Sequence, residues 1–198
     1  MKPGALKALV FCGALLPLAW VGYRGYTGDL TANPIEYITH HTGWFALMFL
    51  VSSLSVTPVR RLTGWQPIIR FRRMLGLFAF FYGTLHFSIW FVLDRFFSFT
   101  EMANDVVKRP FITAGMTTLL LLAPLAVTST KGMIRRLGGQ RWMRLHRLAY
   151  VAAITAVFHF WWLVKSDIRE PRRWAIGVAL LLGLRAWWMF QARLSSRS

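Results

Sequence analysis

Six long apolar segments alternate with short polar connections along this chain of 198 residues. A bilayer core about 30 Å thick is crossed by roughly 20 mostly apolar residues in a helix, and each segment approaches that length. Unpaired backbone groups are costly in lipid, so such segments cross as helices. The pattern predicts an all-α membrane protein, a six-helix transmembrane bundle. Its spans are expected at about 5–23, 42–58, 74–93, 111–128, 146–164 and 174–191.

The charge pattern favours a membrane over nucleic acid as the surface that the protein meets. A net charge of +17 suits a nucleic-acid-binding protein, but 56% of the residues are hydrophobic and the basic residues lie between apolar runs. We therefore expect membrane lipid, and no nucleic acid, as a partner. The connections are too short for a second domain and no internal repeat is apparent, so residues 1–198 are expected to form a single domain.

The first apolar segment resembles a signal peptide because Lys2 and Lys7 precede or begin it. No A-x-A-like cleavage site follows, and we expect an uncleaved first span.

The basic and acidic residues predict the orientation of the bundle. All ten charges in the connections 59–73 and 129–145 are positive, and cytoplasmic loops are rich in Lys and Arg. All seven acids fall in the other three connections. Both basic connections, and with them both termini, are therefore predicted to be cytoplasmic.

Ionisable side chains inside the spans mark candidate functional sites, because charge is costly in hydrocarbon. They are His86, His146, Arg147, His159 and Arg185. No Asp or Glu lies inside a span, which argues against a proton pump or a cation-coupled transporter.

His86 and His159 are predicted to lie at one depth in the membrane. His86 follows Met74 by 12 residues and His159 follows His146 by 13, so their depths differ by only about 1.5 Å along ideal helices. Two neutral imidazoles on facing helices can hold a haem iron between them. The alternative is that each is a hydrogen-bonded bundle histidine, but the matched depth favours the haem.

His146 is placed at the inner boundary, about 19.5 Å below His159 on an ideal helix. It can ligate a second haem, but 13 residues at 100° each leave the two side chains about 140° apart. The fifth span must therefore be distorted, or the two histidines approach their cofactors from different sides. No second histidine matches His146 in depth, since Arg72, Arg73 and Met74 occupy that level.

Five arginines are predicted to converge on the inner face, where they can bind haem propionates, a flavin phosphate or a lipid at a quinol site. The alternative is ordinary positive-inside topology, which Arg185, set within a helix, fits least well. The five are Arg72, Arg73, Arg144, Arg147 and Arg185.

His40 and His41, which follow each other in the sequence, are interpreted as an interfacial pair at a helix start rather than as metal ligands.

Three segments carry a resemblance to a known family: FRRMLGLFAFFYGTLH (71–86), RPFITAGMTTLLLLAPLAVTST (109–130) and RWMRLHRLAYVAAITAVFHFWW (141–162). With the HxTG of His40 to Gly43, they resemble the MsrQ (YedZ) family of haem-bearing membrane subunits. That family belongs to the ferric-reductase-like transmembrane group, in which histidine pairs on two helices hold two stacked haems. The resemblance extends from about Leu15 to Arg185.

The resemblance implies cofactors and ligands. His86, His146 and His159 match three of the four histidines of the group, whereas Arg72 stands where the group has its inner histidine on the third span. One or two b-type haems are implied, and FMN as a further cofactor, although the sequence contains no glycine-rich flavin motif.

The resemblance also implies a partner and a location. Electrons are expected to cross the bacterial inner membrane and to reach MsrP, a periplasmic subunit with a molybdenum cofactor that repairs methionine sulfoxide in envelope proteins. We expect no nicotinamide-binding domain in the chain, so the donor is a membrane quinol or a cytoplasmic flavin reductase. The chain is then an electron-transfer subunit rather than the subunit that reduces the substrate. The alternatives are a small transporter or scaffold with packing histidines, and a stand-alone ferric reductase.

Overall fold

The computed structural model describes residues 3–195, and every regular element among them is helical. Lys2 lies outside the described residues. A 3₁₀ turn, Gln66–Ile68, precedes the third helix, and a π turn, Trp90–Asp94, follows it. The helices are α1 (Pro3–Tyr26), α2 (Pro34–Thr63), α3 (Ile69–Ile89), α4 (Phe99–Lys108), α5 (Pro110–Val127), α6 (Lys131–Leu137), α7 (Gly139–Leu145), α8 (Leu148–Leu163) and α9 (Arg169–Ser195).

Within residues 3–195, five segments are helical, long and apolar enough to cross a membrane, and the chain is a multi-pass membrane protein. The predicted span 146–164 corresponds to α8, which has 16 residues. At about 1.5 Å per residue it is roughly 24 Å long, shorter than a typical bilayer core. The five segments are Gly4–Tyr26, Pro34–Thr63, Gln66–Asp94, Pro110–Val127 and Arg169–Ser195.

Helix α2 begins eight residues earlier than the sequence predicted, at Pro34 instead of residue 42. The side chain of Asn33 accepts a hydrogen bond from the backbone N–H of Glu36, and proline suits the first helical position. His40 and His41 consequently lie within α2, and the interpretation that they cap its start is wrong. The polar first turns concealed this part of the helix, because apolar length was the criterion.

Two helix pairs form the centre of the bundle. Helix α2 packs along α3, and α5 packs along α8, whereas contacts between the two pairs are much less extensive. Ala79, Ala152 and Ala153 are completely buried, and such small residues allow membrane helices to approach closely. Helix α1 is attached through the Tyr82 hydroxyl, which donates a hydrogen bond of 2.8 Å to the carbonyl of Ala14.

The connection between α5 and α8 contains the short helices α6 and α7 and an irregular turn at His146 and Arg147. The backbone N–H groups of Arg147 and Tyr150 bond three residues back instead of four. This interruption lies between His146 and His159, so an ideal helix does not relate their directions. An ideal helix would leave the two side chains about 140° apart, and a distortion of the fifth span was one of the two ways in which both histidines could serve stacked haems.

The connection between α3 and α5 is closed by ion pairs around Asp105 of α4. Its carboxylate lies 2.5 Å from the Arg95 guanidinium and 3.1 Å from that of Arg109. Phe96 and Phe97, next to Arg95, adopt positive φ angles of 45° and 62°. The carboxylate joins residues at the end of α3 to those at the start of α5, and these two helix ends flank the site described next.

Candidate functional site

The structure brings the rings of His86 and His159 together. His86 lies in the last turn of α3 and His159 in the last turn and a half of α8. Their ring centroids are 5.8 Å apart and the ring planes are nearly perpendicular, at 81°. The two positions are 73 residues apart in sequence, so only the bundle places them side by side.

Each of the two rings is hydrogen-bonded to a backbone carbonyl of another helix. His86 Nδ1 donates to the carbonyl of Thr39 at 2.9 Å, and His159 Nδ1 donates to that of Phe111 at 2.6 Å. A carbonyl only accepts, so it fixes the proton on Nδ1 and leaves Nε2 with its lone pair. In the part of the chain that the structure describes, neither Nε2 has a hydrogen-bond partner.

The pair has the donor chemistry that an axially bound haem iron requires. Metal–imidazole bonds of about 2 Å separate two axial nitrogens by about 4 Å. Each ring centre lies beyond its nitrogen, so a centroid spacing of 5.8 Å is compatible with an iron between the rings. The hydrogen bond on Nδ1 orients each ring and raises its basicity as a ligand. The residues present therefore fit a bis-imidazole haem site at the acidic end of the bundle, the end that carries the three connections with Asp and Glu.

His146 lies apart from this pair, at the end of the bundle that carries the arginine-rich connections. Its Nε2 is 3.2 Å from the hydroxyl oxygen of Thr128, and the Trp142 ring stacks on it with centroids 3.9 Å apart. Among residues 3–195, no group of three or more metal-ligating side chains is assembled here or elsewhere.

The five predicted arginines do not form one cluster. Arg73, Arg144 and Arg147 are exposed, whereas Arg72 is half-buried between helices. Its Nη1 is 3.5 Å from the Thr57 hydroxyl. Of these four arginines, Arg72 alone is partly buried.

Arg185 is buried, and the protein itself occupies its donors. The guanidinium donates to the carbonyl oxygens of Leu54 and Leu181 and lies over the Tyr150 ring, 5.3 Å from its centroid. These contacts account for the burial of this charge without a cofactor.

Each end of the bundle has a cavity. The one at the arginine-rich end has a volume of about 370 Å³ and is lined by Arg73, Lys131 and hydroxyl groups of the α5–α6 connection. The one at the acidic end, about 810 Å³, is lined by His40, His41 and Trp44 among others. His41 stacks on Tyr37 within α2, with centroids 5.4 Å apart.

The carbonyls of Thr39 and Phe111 were missed by sequence reasoning, because any residue supplies a carbonyl and only the fold selects one. The HxTG of α2 and the TAG at 113–115 of α5 mark the two places, but neither pattern identifies its histidine partner.

The sequence has recognisable relatives among known proteins. A model of the family described as ferric reductase like transmembrane component matches residues 41–157. The chain is 50% identical over 190 residues to the protein-methionine-sulfoxide reductase heme-binding subunit MsrQ of Herminiimonas arsenicoxydans, covering 95% of this chain and 87% of that protein. It is 52% identical over 179 residues to the protein of the same name from Rhodospirillum rubrum, with 90% and 86% covered. No solved structure matches.

Proposed function

The chain belongs to the MsrQ family of heme-binding subunits, within the ferric-reductase-like transmembrane components, and from this membership we propose that it carries electrons through b-type haem in a bacterial inner membrane. The observation that carries the proposal is the pair of facing imidazoles, each fixed as the Nδ1–H tautomer by a carbonyl. Two unrelated packing histidines have no reason to share this arrangement.

The protein's own groups prepare the site for electron transfer. A haem bound there supplies an iron that alternates between the ferric and ferrous states. His86 and His159 would hold such a haem through their Nε2 atoms, and their carbonyl partners keep each ring from rotating. The acids within the membrane-crossing segments, Glu36, Asp94 and Glu170, lie in the terminal turns of those segments, and among the described residues none of them bonds to His86 or His159. This favours electron transfer over proton or cation transport.

The partner on the acidic side is proposed to be a periplasmic, molybdenum-containing MsrP, since the curated relatives are named as subunits of a protein-methionine-sulfoxide reductase. The positive-inside pattern supports a periplasmic acidic end, which places His86 and His159 near the exit side. Electrons are proposed to come from a quinol or from a cytoplasmic flavin reductase. The cavity beside Arg73 and Lys131 suits the phosphate of an FMN.

A second haem at the arginine-rich end is proposed on narrower grounds. His146 supplies one imidazole there, but its Nε2 is already in contact with the Thr128 hydroxyl. A guanidinium offers donors and no acceptor and is a poor iron ligand, so we propose Arg72 as a propionate partner. Such a haem would be expected to have a different potential from the bis-imidazole one.

The spectrum of the purified protein tests the proposal. We expect a Soret band and a sharp reduced α-band of low-spin b haem, both lost in His86→Ala and in His159→Ala. His40→Ala is the matched control, because His40 lies near His86 but points to the cavity at the acidic end. A colourless protein would support the scaffold alternative. Full low-spin haem in either ligand variant would overturn the pairing.

A further inference from the structure

Two glycines lie unusually close to the candidate ligand rings. A Cβ atom built on Gly43 would lie 2.9 Å from both Cε1 and Nδ1 of His86, and one built on Gly115 would lie 2.8 Å from Nδ1 of His159. Real Cβ atoms essentially never approach other atoms so closely. An alanine at either position therefore requires the imidazole or its helix to move.

The glycine and the carbonyl at each ring belong to one helical turn. Gly43 follows Thr39 by four residues in α2, and Gly115 follows Phe111 by four residues in α5. Residues four apart lie on the same face of a helix. Each imidazole thus rests on a glycine while its Nδ1 donates to the carbonyl one turn earlier, and the arrangement occurs once for each histidine.

The other helical glycines show that this closeness is not a general feature of the bundle. Gly76 and Gly83 of α3 would place a Cβ no nearer than 3.4 and 3.7 Å to another side chain. Gly13, Gly177 and Gly183 have nothing within 4 Å. Among the described residues, the two glycines with the shortest approaches both meet a candidate ligand histidine.

We propose that Gly43 and Gly115 are positioning residues that set the orientation of the two axial imidazoles, each acting with the carbonyl one turn before it. The missing side chain lets α2 and α5 approach the rings closely enough for the hydrogen bonds at 2.9 and 2.6 Å. An added methyl group pushes the ring from its rotamer and lengthens that bond, so the ring no longer presents Nε2 along the axial direction. This inference rests on the proposed haem site and specifies how it is built.

The test replaces each glycine by alanine in the full chain with its haem. Gly43→Ala and Gly115→Ala are expected to show a new high-spin ferric EPR signal and a shifted midpoint potential. Haem transfer to apomyoglobin should be faster by roughly two- to tenfold, the effect of holding a side chain about 30° from its rotamer. Gly177→Ala is the control, since it lies at a comparable distance from the acidic end of its helix and meets no neighbour. Its spectrum and transfer rate should match those of the unmodified protein.

A second set of variants distinguishes loss of the contact between the ring and the glycine from misfolding. In His86→Met the ring that meets the new Cβ is gone, so adding Gly43→Ala should change neither accumulation nor haem content further. If Gly43→Ala lowered the accumulation of the protein equally with and without the His86 ring, Gly43 would serve only helix packing, and the inference would be overturned. So would wild-type spectra and transfer rates in both alanine variants. If the unmodified protein binds no haem, the proposed function fails instead, which separates the two results.

Discussion

At the scale of single residues, Arg185 shows how a buried charge can be satisfied by the backbone alone. Its guanidinium bonds two carbonyl groups on different helices, Leu54 of α2 and Leu181 of α9. Hydrogen bonds from charged donors contribute more than neutral ones. Arg185 therefore joins α9 to α2. The sequence had suggested a cofactor ligand at this position.

Replacing Arg185 by Met is expected to lower the free energy of unfolding by roughly 1.5–3 kcal/mol, the usual contribution of a hydrogen bond to a charged group. Haem per folded chain and the haem midpoint potential should not change. Denaturation in mild detergent and a redox titration measure the two quantities. Arg147→Met is the control, because Arg147 is exposed. A shifted potential at full stability would instead identify Arg185 as a propionate partner.

At the scale of elements, the connection through α4 depends on one carboxylate. Asp105 is buried and contacts both Arg95 and Arg109, while Arg95 has only longer contacts to Asp94, at 3.5 Å, and Glu101, at 3.9 Å. The end of α3 and the start of α5 are thus held together by charge at a place where the backbone itself is irregular.

Asp105→Asn keeps the shape of the side chain and removes its charge. We expect hydrogen exchange of the α4 amides to accelerate by an amount that corresponds to roughly 1.5–3 kcal/mol of local stability. The central helices should keep their protection. Glu101→Gln, which changes the longest of these contacts, is expected to have little effect. Unchanged exchange in α4 after loss of the Asp105 charge would show that apolar contacts hold this connection.

Sequence reasoning predicted an all-helical membrane protein and a common depth for His86 and His159, because apolar length and residue count translate directly into depth. It predicted six spans, whereas five segments of the described residues are long and apolar enough to cross a membrane. It did not reach the first two turns of α2, whose polar residues lack the apolar signal. It also did not predict the interruption at His146, where backbone N–H groups bond to the carbonyl three residues earlier instead of four. The glycine contacts were beyond it for a further reason: a close approach depends on the distance between two helices, which no single segment encodes.

At the scale of the whole molecule, the distribution of charge predicts the orientation. Cysteines at Thr63 and Gln140, in a Cys12→Ser background, should resist an impermeant thiol reagent in intact spheroplasts, because both lie in connections with only positive charges. A cysteine at Asn104 of α4 should react. All three positions are exposed, so accessibility within the folded chain does not bias the comparison. Labelling at Thr63 and Gln140, with protection of Asn104, would show that the bundle has the opposite orientation.

The division of the bundle into two helix pairs has a consequence for its biogenesis. Each pair supplies one histidine together with the carbonyl and glycine that hold it: α2 and α3 for His86, and α5 and α8 for His159. Each half-site can therefore form from its own two helices, first α2 with α3 and then, once α8 has left the ribosome, α5 with α8. Contacts between the pairs are sparse, so an iron held by both histidines, as proposed above, would link two halves that otherwise touch little. On that proposal, insertion of haem is expected to follow the packing of both pairs.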